Sequence, residues 1–155
     1  MMPCRIAEAR DVEPIVRLIN TAFAVERFFI ERERTNPQMV RAYMEKGKFL
    51  VAENGSTLAG CVYVELRGER GYFGLLAVDP ARQRTGVGHH LVETAEQYFR
   101  TAGCRFSDLR VVDVRTELPP FYRRLGYVET GTDAYISELP PKLPAHFVNM
   151  TKPLV

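Results

Sequence analysis

Cysteine is scarce and unclustered, no apolar run approaches a membrane span, and neither sign of charge dominates the 155-residue chain. Three cysteines, Cys4, Cys61 and Cys104, form an odd set with no CxxC or Cys-His spacing. A disulfide framework and a structural zinc site are therefore disfavoured, and the thiols read as small buried hydrophobes. No stretch nears the roughly 20 apolar residues of a membrane helix. Residues 1–8 lack the apolar core of a signal peptide, so a cytoplasmic protein is expected. A net charge of +2, with no basic stripe among aromatics, gives no ground for a nucleic-acid or membrane surface. Gly-Lys-Ser/Thr does not occur, which removes a P-loop, and no metal-ligand spacing links His89, His90 and His146.

What is present is ordinary globular composition, 46% apolar and 26% charged, at a length that suits one domain over residues 1–155. Val12, Ile15, Val16, Ile19 and Phe23 recur at helical spacing from Asp11, a suitable cap, to about Ala24. A weaker helix spans Asn36 to Glu45, with Pro37 near its start and Gly47 beyond its end. Phe49 to Glu53 and Thr57 to Leu66 read as strands joined at Asn54 and Gly55. Tyr72 to Val78 reads as a strand covered on both faces and stopped by Pro80. A helix follows, with Val87, Leu91, Ala95, Tyr98, Phe99 and Ala102 on its apolar side, ending at Gly103. Asp108 to Val114 is the next strand, which makes a βαβ unit. Thr116 is placed to cap a short helix carrying Leu118, Phe121, Tyr122 and Leu125, closed by Gly126. Strands around Tyr127–Val128 and His146–Met150, joined by a stiff connector at Leu139 to Pro144, complete the chain.

The run from Val78 to Leu91 says most about function, because it takes an apolar strand through a glycine-containing turn straight into an amphipathic helix. The first N–H groups of a helix lack intrahelical partners, and the helix dipole adds about half a positive charge there, so a phosphate or pyrophosphate is the natural guest. Arg82 and Arg84 add full charges nearby. A Cβ at Gly86 or Gly88 would hold a bulky phosphate away. Taken alone, the Gln-x-x-Gly-x-Gly spacing from Gln83 to Gly88 equally suits a tight turn.

Two motifs together make the chain resemble the GNAT superfamily of N-acetyltransferases. One is the coenzyme A loop Gln83 to Gly88 behind the strand Leu75 to Val78; the other is the aromatic-Tyr-x-x-x-Gly-aromatic element Phe121, Tyr122, Gly126 and Tyr127. With the order of elements, the likeness covers nearly the whole chain. It implies an α/β, GNAT-like fold: a central mixed β-sheet, flanked by helices, whose parallel fourth and fifth strands splay apart to admit acetyl-CoA. It further implies that backbone groups of Gln83, Arg84, Thr85, Gly86, Val87, Gly88 and His89 cradle the pyrophosphate. Leu76, Ala77 and Val78 would pair with the pantetheine arm, and Arg115 stands where the family often has a cofactor-bonding asparagine. The Leu76 N–H, or a neighbouring one, would hold the carbonyl oxygen, and Tyr122 would meet the departing sulfur.

On pattern alone Tyr122 reads as a core tyrosine; the resemblance turns it into the catalytic candidate. A phenol of pKa about 10 opposite a thiol of about 8.5 favours hydrogen bonding over outright proton donation. The family's usual strand glutamate is replaced by Tyr72, so the general base stays open among Glu26, Glu65, Tyr72, His146 and water. The resemblance implies that the segment Glu26 to Thr35 forms an acceptor wall; its arginines suit either an anion or a solvated face. The expected activity is transfer of acetyl to a primary amine of a small molecule or peptide, with a homodimer as a family option. The alternative is an acyl-CoA binding or sensing module without catalysis. A dinucleotide-binding oxidoreductase fits poorly, because Gly-x-Gly-x-x-Gly is missing and the glycine turn follows the fourth strand.

Overall fold

Seven short extended segments pair into one mixed sheet in the computed structural model, where residues 2–137 and 139–155 are described. The strands are β1 (Cys4–Ile6), β2 (Lys48–Asn54), β3 (Thr57–Arg67), β4 (Arg70–Val78), β5 (Phe106–Val112), β6 (Val128–Ala134) and β7 (His146–Pro153). They lie in the order β1-β2-β3-β4-β5-β7-β6. All neighbours are antiparallel except β4 and β5. The helices are α1 (Val12–Ala22), α2 (Pro37–Lys46), α3 (Val87–Thr101) and α4 (Leu118–Arg124).

The period of two sorts side chains onto two cores. Leu50, Ala52, Val62, Val64 and Phe73 meet Val87, Leu91, Ala95 and Phe99 of α3 on one face. Phe49, Val51, Cys61 and Tyr63 meet Ile15 and Ile19 of α1 and Val40 of α2 on the other. Each such burial contributes about 1.5 to 3 kcal/mol. Gly71 lets α3 lie close against β4, since a Cβ there would stand 2.2 Å from the Phe99 ring. As expected, β4 is covered from both sides, by Phe73 in the α3 core and by Leu75 and Ala77 in the other.

That switch of faces between Phe73 and Leu75 requires an extra residue, and a β-bulge supplies it. Cys61 pairs with Ala77 while Tyr63 pairs with Gly74, so three steps of β4 oppose two of β3. Leu75 takes the left-handed conformation, φ 51°, at a cost of about 1 to 2 kcal/mol for a non-glycine residue. Bulges re-aim the backbone next to binding sites. On its other side β4 pairs with β5 only from Arg70↔Phe106 to Tyr72↔Asp108. Beyond Tyr72 the two parallel strands part, while the other edge of β5 stays paired with β7 from Phe106 to Val112.

Several local expectations need correcting. Asp11 does not cap α1 with its side chain; a 3-10 turn, Ala9–Asp11, precedes the helix, and the Asp11 carboxylate accepts from the Glu8 N–H at 2.7 Å and from Arg5. Thr116 does not cap α4, whose N-cap is Glu117. In α3 the buried positions include Val92 and Glu96, whereas Tyr98 is half-buried and Ala102 exposed. Cys61 and Cys104 are buried as expected, but Cys4 is half-buried; all three thiols are free. The last two strands run longer than their apolar content suggests, because β6 is exposed along its whole length and is held by pairing with β7.

Candidate active site

The glycine turn joins β4, the strand that parts from β5, to α3. Arg84 (φ 67°) and Gly86 (φ 90°) both take the left-handed conformation, a geometry that turns successive N–H groups inward as an anion nest. The first N–H of α3 satisfied within the helix is that of His90, bonded to the Gly86 carbonyl at 3.0 Å. Those of Val87, Gly88 and His89 therefore face outward with the helix dipole behind them. A Cβ on Gly88 would meet nothing nearer than 3.7 Å, from Val78, and 3.8 Å, from Phe121. The protein's own packing thus has no need of glycine there. A ligand pressed against that backbone does, so the residues fit a pyrophosphate group.

The charges around the nest are arranged differently from expectation. Arg82 turns away, lying 3.9 Å from Asp79. With the Asn54 amide oxygen facing it, both terminal nitrogens of Arg82 donate to that oxygen at 2.6 Å. His90 is not free for a phosphate, because its Nε2 lies 2.9 Å from the Met2 carbonyl. His89 remains exposed, 3.2 Å from Glu93. Gln83, Arg84, Thr85 and Gly86 are exposed, and Leu76 and Val78 are half-buried on the parted strand.

Tyr122 projects from α4 into an aromatic cluster with Phe73, Phe121 and Tyr127, at ring-centroid separations of 5.9, 5.0 and 6.1 Å. It is 5% exposed, yet no described residue hydrogen-bonds its hydroxyl. Burial pushes its pKa up, against a smaller opposing pull from Arg115 and reinforced by Tyr72. Such a phenol stays protonated across the working pH range and acts as a hydrogen-bond donor.

The other candidates are dispersed. Arg115 donates to Glu26 at 2.9 Å and to Glu117 at 3.1 Å. That guanidinium is committed to the 3-10 turn Phe23–Phe28, which follows α1, and its field reaches Tyr122. Glu65 accepts from the Tyr63 hydroxyl at 2.6 Å and from Arg67. Partial burial works to raise its pKa, but these two donors outweigh burial and hold it below the ordinary carboxylate value. Tyr72 is raised by burial, with Arg110, Arg67 and Arg34 acting against the rise. Neither group is poised to accept a proton near neutral pH. His146 is exposed, with Nδ1 3.7 Å from Asp113.

Sequence reasoning missed a buried network behind the aromatic cluster. Tyr127 donates to Glu96 at 2.8 Å and lies 2.7 Å from the Ser107 hydroxyl, while Lys152 donates to Glu96 at 3.0 Å. A glutamate one step from Ala95 in an apolar helical stripe was the available signal. Groove space of about 650 Å³ opens beside it, lined by His89, Glu93, Arg100, Arg124 and Lys152 among others. Among the described residues no group of three His, Cys, Asp or Glu could hold a metal ion, and no helix is long and apolar enough to cross a membrane.

A family model described as an acetyltransferase (GNAT) domain matches residues 20–140. No curated protein matches the chain. Among solved structures, the ribosomal-protein-S18-alanine N-acetyltransferase of Escherichia coli superposes with a TM-score of 0.79 at 16% identity, over 99% of this chain and 94% of that one. Ard1 of Thermoplasma volcanium gives 0.82 at 19% identity, over 99% and 97%. The Salmonella typhimurium protein yncA, solved with its cofactor acetyl-CoA, gives 0.76 at 17% identity, over 99% and 94%. At these identities the likeness is one of fold.

Proposed function

Because the chain belongs to the GNAT acetyltransferase family and uses acetyl-CoA, we propose that it moves the acetyl group directly onto a primary amine of a small molecule or peptide. The observation that carries this reading is the pairing of a left-handed, glycine-relieved nest at the head of α3 with a gap between β4 and β5. Acetyl-CoA supplies an activated thioester. The nest from Arg84 to His89 holds the pyrophosphate by charge-assisted hydrogen bonds, worth about 1.5 to 3 kcal/mol each. The parted edge of β4 at Leu76, Ala77 and Val78 offers backbone groups to the pantetheine arm, and Gln83, in extended conformation, leads the chain into the nest.

The N–H of Leu76, directly after the bulge at Leu75, would hold the acetyl oxygen, where one such donor is worth a few kcal/mol (about 3) in the transition state. As the amine bonds to the carbonyl carbon, the carbon–sulfur bond breaks and the Tyr122 hydroxyl donates to the sulfur. The amine proton leaves through water, since the Glu65 oxygens are already engaged and Tyr72 replaces a carboxylate. Arg115 holds Glu26 at the edge of the site and orients the turn after α1. The three free thiols suit a reducing cytoplasm, and residues 1–155 act as one unit.

Titration calorimetry with acetyl-CoA, run beside Gly88→Glu, tests this. A glutamate in the first turn suits the helix dipole and has room for its Cβ, so the variant keeps its stability while repelling the anion. Wild-type affinity at about 1–100 µM, lost in the variant, together with thiol release on an amine panel, is the expected result. Tight binding without turnover on any amine favours the sensing module; no binding by the wild type refutes both readings.

A further inference from the structure

The face of the sheet beneath α1 and α2 carries arginines whose nearby carboxylates are all engaged elsewhere. Tyr72 marks the point where β4 leaves β5, with Glu65 opposite it on β3. Arg67 lies over the Tyr72 ring at 4.2 Å, and Glu65 neutralises it. Arg110 follows Asp108 by two residues on β5. Leu109 and Val111 point into the α3 core, so Arg110 points to the same face as Tyr72. Its guanidinium stacks on Phe147 at 3.9 Å. Arg34, in the loop before α2, stacks over Phe23 at 5.4 Å. Both charges act on the Tyr72 phenol, one from β5 and one from the loop.

The local acids are spent. Asp108 binds Arg70 at 2.7 Å; Glu31 is shared by Arg27 and Lys142, and Glu33 is held by Arg27. Asp133 accepts from the Asn149 amide at 2.8 Å. Among the described residues, Arg34 and Arg110 form no ion pair. Arg32 is similar: it donates to the Tyr135 hydroxyl at 3.3 Å, behind the ring that packs on Phe147, and its Nε is buried without a partner. Stacked guanidinium groups are pre-organised, with their edges left to bind, and their planar fork matches a carboxylate.

We propose that the acceptor amine carries a carboxylate, held by Arg110 and Arg34 over Tyr72 so that the amino group is directed toward the gap between β4 and β5. This rests on the acetyltransferase reading and names the substrate class for it. The carboxylate supplies the charge that the face lacks, and the flanking aromatic rings Phe23, Tyr72 and Phe147 cover the acceptor's apolar part.

Thiol-release kinetics on matched probes test the proposal: L-phenylalanine against L-phenylalaninamide, and 5-aminopentanoate against pentylamine, each for wild type, Arg110→Ala and Arg34→Ala. At least one carboxylate probe is expected to exceed its uncharged partner about tenfold or more in kcat/KM. Arg110→Ala should raise KM for that probe about 10- to 100-fold, with KM for acetyl-CoA and for the uncharged amine within about twofold of wild type. Equal kcat/KM for charged and uncharged partners, or parallel losses on both in the variants, overturns the proposal while leaving the acetyltransferase reading in place. No turnover of any probe overturns both.

Discussion

Replacing Tyr122 by phenylalanine should leave stability nearly unchanged and make the protein much less active, whereas the same change at Tyr127 should do nearly the reverse. The Tyr122 ring packs among Phe73, Phe121 and Tyr127, contacts that phenylalanine preserves. Its hydroxyl has no hydrogen-bond partner among the described residues and is not one of the fully buried unpaired polar atoms, so removing it forfeits no bond to the protein and changes stability by less than about 0.5 kcal/mol. For a chain of this size that is a Tm change of less than about 2 °C. The Tyr127 hydroxyl instead bridges Ser107 at 2.7 Å and Glu96 at 2.8 Å, both buried. Its removal leaves the Ser107 hydroxyl unpaired and the Glu96 carboxylate with Lys152 alone among close partners, at about 2–3 kcal/mol. Calorimetric melting of both variants, paired with thiol release at a temperature where both are folded, reads the two effects separately. Tyr122→Phe should lose about a hundredfold in kcat, the lower bound for a positioned proton donor, with KM for acetyl-CoA little changed. A Tyr122→Phe variant that melts as early as Tyr127→Phe, or that keeps wild-type kcat, would refute the assignment of Tyr122 as a donor without a protein partner that serves the sulfur.

Gly71→Ala drives a Cβ into the Phe99 ring, with its nearest atom at 2.2 Å; denaturant melts should show a loss of about 2–3 kcal/mol, and a loss below about 0.5 kcal/mol would mean that α3 can move off the sheet freely. Asp11 sits at the opposite edge of the sheet, where Arg5 draws its carboxyl from the ordinary 3.8 down to about 2 against the opposing effect of burial. A depressed folded-state pKa stabilises above the unfolded value, so about 2 kcal/mol is present above pH 4 and disappears as pH falls toward 2; Asp11→Asn should lower neutral-pH stability and flatten the acid limb measured by urea titration. If the amine proton leaves through water, the apparent pKa of kcat/KM should follow the free amine across acceptors of different basicity. An apparent pKa that stays fixed while the amine changes would instead identify a side chain as the base, with Glu26 the first to substitute.

What was legible in the sequence is what short spacing decides. The short apolar run Phe49 to Glu53 and the helical stripe of α3 follow from local pattern, and the glycine turn follows from backbone chemistry within a few residues. The motif pair from Gln83 to Gly88 and from Phe121 to Tyr127 placed the parted strands correctly. Partner choice was not legible, because it is settled between residues far apart in the chain. Asp11 reads as a cap until Arg5 claims it, Arg82 reads as a charge beside the phosphate until the Asn54 hairpin turns it aside, and Glu96 goes unread until Tyr127 and Lys152 enclose it. Each case needs a contact across 6 to more than 50 residues, which no local pattern encodes.

The bulge at Leu75 shows why such a feature escapes a reading by period yet controls the site. A strand of alternating residues would send Phe73, Leu75 and Ala77 to one face, and the apolar run Tyr72 to Val78 contains nothing to forbid it. The observed chain spends about 1–2 kcal/mol on a left-handed leucine and recovers it by placing Phe73 under α3 and Leu75 and Ala77 under α1. The Leu75 carbonyl finds the Cys61 thiol at 3.8 Å. Both cores therefore close around β4 only when the strand is bent one residue before Leu76. Leu76, whose N–H is proposed to hold the acetyl oxygen, comes directly after that bend. Packing on the two faces thus over-determines the strained conformation, which is the condition under which backbone strain persists at a functional site, and the proposed oxyanion donor would be held by the hydrophobic cores rather than by any polar side chain.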